Sequence, residues 1–413
     1  MISHSYMRPV PIRAKFLTPG VMVLLLLAAA GLAVLAWRFL FGLGAVTNLS
    51  NQYPWGLWIG LDVAAGVALA AGGFTTAALA HVMHREEYHV VVRPALLTAM
   101  LGYTFVAFAV VIDIGRPYAV WHPIVMWNGS SALFEVGICV MIYMTVLYIE
   151  FLPAVTERFI GRVNLPGFLA RLNAPVDRLL RALDLGLSRT MFVFIIAGVV
   201  LSTLHQSSLG TLMIIAGPKM HPLWQTPILP LLFLLSAISV GLPMVIVESL
   251  LAARSFGAKP EMAVLSRLGW LTTPMLGVYL AFKVGDMFVR KTFVYLGTWD
   301  LPSVMFMIEV LFGVALPLRM LLSPRVLKSP RLLFAAAMLV VAGVAVGRFN
   351  NFIIAYTPPY AFVRYVPSWG EVTVTAGCVC MLVLLYRAAV MIFPVISRPD
   401  RSLSPRDKYT VRG

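Results

Sequence analysis

Two glutamates stand inside stretches that are otherwise almost wholly apolar: Glu135 in LFEVGICVMIYMTVLYI and Glu248 in PMVIVESLLAA. A carboxylate at membrane depth is costly, so it ordinarily faces a protein interior or a water-filled path and handles protons, ions or a ligand. Asp62, Asp113 and His205 lie in similar apolar surroundings, and Tyr103 adds a hydroxyl in the middle of another apolar run. Proton exchange and hydrogen bonding to a bound ligand are the chemistries these types support. The bland alternative is that they pair with one another and hold helices together.

Such residues need long helices to position them, and the composition supplies these. Of 413 residues, 60% are hydrophobic and 12% charged. Apolar stretches recur at about 20 residues or more, enough to cross a bilayer as helices. Ten candidate spans are predicted, at 20–42, 55–82, 94–114, 131–153, 189–215, 225–253, 268–289, 301–322, 331–349 and 370–394. The fold class is thus an all-α integral membrane protein, with residues 20–394 as its polytopic domain. The stretch at 20–42 reads as a membrane helix, because no small-residue cleavage site follows it.

Lys and Arg gather on cytoplasmic loops. Arg8, Arg13 and Lys15 in segment 1–19, the arginines from Arg158 to Arg189, and the basic residues from Arg387 through the tail at 395–413 all fall on one side of this topology. Both termini are therefore expected in the cytoplasm. The net charge of +15 fits lipid headgroups beside the spans rather than nucleic acid. Residues 154–188 place Leu169, Leu172, Val176, Leu179, Leu180 and Leu183 at helical spacing among arginines, predicting an amphipathic cytoplasmic connector.

On this topology Asp62, Asp113, Glu135 and His205 share the outer half of four consecutive spans and form one polar cluster. Glu248 lies near the cytoplasmic end of its span, five residues after Pro243, whose ring frees a backbone carbonyl and invites water. The Tyr103 hydroxyl would bridge the cluster to Glu248. Lys283 and Asp286, three apart, read as a structural ion pair, and Glu86 and Glu87 as partners of Arg85 or Arg93. No metal site is expected. The three cysteines lack four-ligand spacing, and of seven histidines only His205 is well placed, with no histidine facing His81 and His84 from another span, so no haem is expected.

The outer loops carry QYPWGLWIGLD at 52–62, LHQSSLGTLM at 204–213, HPLWQTP at 221–227 and PSWGE at 367–371. Aromatics with a few hydrogen-bonding groups suit a flat amphipathic ligand such as a quinone. Taken singly, each tryptophan is an interfacial anchor.

These loops, together with FGLG at 41–44, YHVVVRPALL at 88–97, GYT at 102–104 and LFE at 133–135, resemble the HybB-type membrane subunits of nickel-iron hydrogenases, within the wider NrfD/PsrC family of quinone-interacting membrane proteins. The likeness runs from about residue 40 to 375. It implies two four-helix bundles, spans two to five and six to nine, with flanking helices. It also implies a subunit of the bacterial inner membrane that carries neither haem nor iron-sulfur cluster and passes electrons between a periplasmic ferredoxin-like iron-sulfur subunit, beside the hydrogenase small and large subunits, and menaquinone or ubiquinone.

His205 would then donate to a quinone carbonyl, Asp62, Asp113 and Trp58 would shape the pocket, and Glu135, Tyr103 and Glu248 would carry protons. The enzyme-level activity would be that of a hydrogen:quinone oxidoreductase, to which this chain contributes the quinone site. Two other readings stand beside it: a membrane subunit of another respiratory oxidoreductase, and a proton-coupled secondary transporter using Glu135 and Glu248.

Overall fold

A computed structural model describes residues 7–399. The long helices are α1 Pro19–Phe41, α2 Trp58–His81, α3 His89–Asp113, α4 Ala132–Phe159, α5 Asn173–Ile215, α6 Leu229–Phe256, α7 Met262–Val289, α8 Leu301–Leu321, α9 Pro330–Phe349 and α10 Trp369–Ile392. Their starts follow from local chemistry. Thr18, Ser131, Asp300, Ser329 and Ser368 each cap a helix by accepting a backbone N–H three residues on, and prolines occupy the opening turns of α1, α6, α8 and α9.

Among the described residues nine helices are long and apolar enough to cross a membrane. The tenth expected span, 268–289, is helical as well but falls within α7, where Thr272, Thr273, Pro274 and Lys283 dilute its hydropathy. The segment expected as a separate connector is divided differently. Residues 154–159 finish α4, and 173–188 run without a break into α5, a helix of 43 residues. No proline interrupts α5 after its first turn, so nothing in the chain forces a bend there.

Neighbouring helices pack as antiparallel hairpins. Helices α2–α5 form one bundle and α6–α9 a second, and α2 and α3 meet α6 where the bundles touch. Helices α1 and α10 pair along the side of the first bundle. That pairing is close because glycine faces glycine: a Cβ on Gly31 would stand 2.8 Å from Gly377 Cα. Small residues let helix backbones approach where lipid supplies no hydrophobic drive.

At the face bearing both termini, strand β1 (Met7–Val10) pairs antiparallel with β2 (Ile396–Pro399), Val10 opposite Ile396. The short tie joins the chain ends under the helices. Arg93 pairs with Glu157 at 2.7 Å and donates to the Pro394 carbonyl at 2.9 Å. Glu87 pairs with Arg267 of α7 rather than with Arg85 or Arg93, a link across the bundles that spacing along one helix cannot reveal. The expectation for Glu86, and the tail RSLSPRDKYTVRG, lie outside the described residues.

Candidate functional site

His205 lies in α5 with no solvent exposure, at the end of the first bundle away from the termini. Its Nδ1 is 3.3 Å from the Tyr103 hydroxyl, and its Nε2 has no partner. When the phenol donates to Nδ1, the ring proton resides on Nε2, which then becomes a buried donor without a protein partner. Tyr103 packs edge-on against Tyr143 of α4, with ring centroids 4.5 Å apart. One turn before His205, Ser202 is buried beside both phenols. One turn after it, Ser208 donates to Glu135 at 2.5 Å. Helical spacing from Ser202 into HQSSLGTLM thus places Ser202, His205 and Ser208 along one face of α5 toward α3 and α4.

The single outer cluster expected from sequence is divided. Asp62 accepts from Thr375 of α10 at 2.7 Å. Asp113 feels the charges of Arg38 and Glu371, while Arg38 donates to the carbonyls of Ile112 at 2.8 Å and Ile114 at 2.6 Å. Among the described residues neither aspartate bonds to His205 or Glu135. They face the flanking pair α1 and α10 because α2 and α3 have a second neighbour there.

Trp58 is also drawn to that side. It is buried among Val34, Leu35, Ile112 and Val374, and its indole donates to the Glu371 carbonyl at 3.2 Å. Glu371 closes a capping box with Ser368, readable as S-x-x-E in PSWGE, and accepts from Tyr365. The Tyr365 hydroxyl in turn accepts from Leu57 N at 2.9 Å. Burial and the neighbouring Glu371 raise the Tyr365 phenol above its ordinary value.

Glu248 lies nearer the terminal face, with both carboxylate oxygens buried and unpartnered. Thr98 of α3 and Tyr386 of α10 approach it. The expected bridge from Tyr103 is therefore corrected: the Tyr103 hydroxyl turns to His205, and Thr98, five residues earlier on α3, is the nearer polar step toward Glu248. A cleft beside Tyr386 and Ser249 runs to Lys259, Ile12 and Ser397 at the terminal face.

The second bundle holds a site that sequence reasoning misassigned. Lys283 pairs with Glu309 of α8, and Asp286 with Arg290 at 2.6 Å, so the predicted Lys283–Asp286 pair does not form. Residues three apart on a helix are neighbours, but here each charge has a better partner on the adjoining element or one turn on. Glu309 Oε2 also accepts from the Trp224 indole at 3.0 Å and from Asn350 Nδ2 at 2.9 Å. Arg348 donates to Phe233 O and Ser236 Oγ, both at 2.9 Å, and its guanidinium lies 3.6 Å from the Phe233 ring centroid.

HPLWQTP docks onto this network. Trp224 meets Glu309, Thr226 donates to Asp286 at 2.8 Å, and Arg290 donates to the carbonyls of Pro222 and Gln225. Burial lowers the His221 imidazole below its ordinary value in the same loop.

The histidine reading also needs one correction. His89, opening α3, does face His81 of α2, edge to face with ring centroids 4.7 Å apart. Rings in such contact leave no room for a macrocycle between them. Among the described residues no group of three His, Cys, Asp or Glu side chains gathers.

Comparison with known proteins agrees with this architecture. A Nitratidesulfovibrio vulgaris protein is 36% identical over 94% of this chain and 97% of its own length. The Escherichia coli protein named "Probable Ni/Fe-hydrogenase 2 b-type cytochrome subunit" is 33% identical over 96% of each. A "Menaquinone reductase, integral membrane subunit" of N. vulgaris is 28% identical over 86% of each. The family model described as "Polysulphide reductase, NrfD" matches residues 45–359, which span both bundles, and the chain therefore belongs to the NrfD family of membrane subunits.

Proposed function

We propose that this chain is the quinone-interacting membrane subunit of a periplasm-facing nickel-iron hydrogenase complex. It would sit in the bacterial inner membrane with both termini in the cytoplasm, as the arginine-rich terminal face favours. The observation that carries the quinone reading is His205 Nε2, fully buried and unpartnered while Tyr103 engages the other ring nitrogen. A buried polar atom left without a partner costs stability, about 1–3 kcal/mol, and a quinone carbonyl would satisfy it. Menaquinone enters through the relative named for it, and hydrogenase through the E. coli relative.

A quinone, when bound, accepts two electrons and two protons. The chain's own part is to orient the ring and supply those protons. His205 would hold one carbonyl, with Tyr103 fixing the imidazole. Glu135, held by Ser208 one turn along α5, stands ready to exchange a proton. Glu248 with Thr98 and Tyr386 would form the route from the cytoplasm, opening at the cleft beside Lys259. Asp62, Asp113 and Trp58 would brace the first bundle against α1 and α10, outside direct reach of the quinone. Electrons would arrive from an iron-sulfur subunit docked on the periplasmic loops, and no haem is needed in this chain.

The test is to purify the chain from its native membrane, identify what copurifies, and assay hydrogen-dependent quinone reduction for wild type, His205→Phe, Glu135→Gln and Glu248→Gln. Hydrogenase subunits together with lost turnover in His205→Phe support the proposal. A different respiratory reductase as partner would move the chain to the second reading, which the relatives named as menaquinone and selenate reductase subunits favour. Full turnover in both glutamate variants would remove the proton route.

A further inference from the structure

The Lys283–Glu309 pair has features that a static brace does not need. Polar atoms around it exceed their partners: Arg348 Nε, Asn350 Oδ1 and Asn351 Oδ1 are buried with none. A narrow cleft runs past Ser236, Lys283, Glu309 and Asn351, and its lining continues to Thr226 and Asp286 at the face opposite the termini. Buried polar groups that lack protein partners are commonly satisfied by ordered water, and a cleft lined this way is polar enough to hold it.

The backbone is shaped around the same place. Two π turns flank the network, Leu311–Ala315 in α8 just after Glu309 and Asn350–Ile354 directly after α9. Such turns recur at functional sites, where they re-aim side chains at the cost of regular bonding. The α8–α9 approach depends on glycine, since a Cβ on Gly313 would stand 2.5 Å from Gly343 Cα. Gly347 clears space for the carboxylate itself, for its Cβ would lie 3.0 Å from Glu309 Oε1.

We infer that the second bundle holds a hydrated proton-exchange site, built on Lys283 and Glu309 and open through Thr226 and Asp286 to the face opposite the termini. Its ligands are water and exchangeable protons. An arriving proton adds to the Glu309 carboxylate and breaks the ion pair. Lys283 is then a cation without its counterion in a network that already holds Arg348, and it releases one proton to water in the cleft. Transfer of the Glu309 proton to the neutral Lys283 amine restores the starting pair, so one proton has entered and one has left. Among the described residues the charged or titratable groups facing the pair are Tyr279 on α7 and Arg348 on α9, with Asp286 and Arg290 at the mouth; α6 lines the cleft with Leu229, Leu232, Phe233 and Ser236, none of them charged. The inference does not depend on quinone binding at His205.

Infrared difference spectroscopy of the full-length chain in lipid vesicles tests it, recorded over a descending pH series in H2O and D2O. A carboxylic C=O band is expected on acidification, sensitive to deuterium and abolished in Glu309→Gln. In Lys283→Met the band should be present already at neutral pH. Asp286→Asn should leave its amplitude intact and slow its appearance about tenfold. The doubly neutral Lys283→Met/Glu309→Gln, which orphans no charge, serves if a single variant does not fold, and should lack the band.

A Glu309-dependent band that never appears while the protein stays folded would show a fixed ion pair and overturn the inference. So would a band whose rate ignores Asp286. Quinone binding measured on the same vesicles separates the two proposals: its loss in wild type would count against the His205 site alone, and its presence without the band against this site alone.

Discussion

The two bundles carry polar sites of opposite character near the same end of the molecule. In the first, Tyr103 engages one nitrogen of His205 beside Tyr143 and Ser202, and the other nitrogen is left uncommitted. In the second, Glu309 accepts from Lys283, Trp224 and Asn350 together. The contrast follows from what burial charges each group. A neutral imidazole tolerates one unpartnered nitrogen, whereas a buried carboxylate needs its oxygens engaged or its charge removed. A neutral polar site can thus keep an atom unpartnered, and a site for charge has to be assembled from several elements.

Breaking the charged site should give the largest effect. Lys283→Met leaves Glu309 buried without its cation, so the carboxyl must take up a proton and lose its ion pair, and the chain should be destabilised by about 3–5 kcal/mol. Thermal unfolding of the detergent-purified protein measures this, and Lys283→Met/Glu309→Gln should recover most of the loss. Equal melting of single and double variants would mean that the pair is not energetically coupled.

The neutral site should respond in affinity rather than stability. His205→Phe should weaken binding of a short-chain naphthoquinone about tenfold, the equivalent of about 1.4 kcal/mol, with little change in melting. Titration against a benzoquinone of equal chain length would show which quinone the site prefers. Tyr103→Phe, which leaves the imidazole in place but unoriented, should cost roughly threefold, less than one full hydrogen bond. Equal effects from His205→Phe and Lys283→Met on quinone affinity would erase the distinction between the bundles.

Trp58→Phe sharpens the comparison from a third position. Its indole bonds to the Glu371 carbonyl in the core beside α1 and α10. Losing that bond should cost about 1 kcal/mol of stability and leave quinone affinity unchanged. Loss of affinity instead would return Trp58 to the ligand pocket.

The smallest effect should come from His221. Burial holds its folded-state pKa below the ordinary 6.5, so the unfolded chain binds the proton more readily. Stability is then full above about pH 6.5 and declines as pH falls through that value toward the folded-state pKa. Melting curves between pH 8 and 5 should show the decline, and His221→Asn should flatten it.

The helices were readable because each is written locally. Apolar runs of membrane length mark the helices, α7 least clearly, and the motifs from FGLG to PSWGE mark the family. The proximity of Ser202, His205 and Ser208 follows from helical period alone. The partners of Asp62, Asp113 and Trp58 were not readable in this way, since a span's period tells which residues share a face but not which neighbour that face meets.

What the sequence by itself determined is thus the all-α membrane fold, its capped helix starts and the polar residues that had to be accounted for. The tertiary structure alone decided the pairing: Lys283 with Glu309 instead of Asp286, Tyr103 with His205 instead of Glu248, and HPLWQTP against the second bundle. Hydrophobic transfer into a bilayer depends on each segment separately, so it is legible along the chain. Ion pairs and hydrogen bonds depend on two or three atoms meeting within about 3 Å, and residues far apart in sequence meet only after the helices have packed.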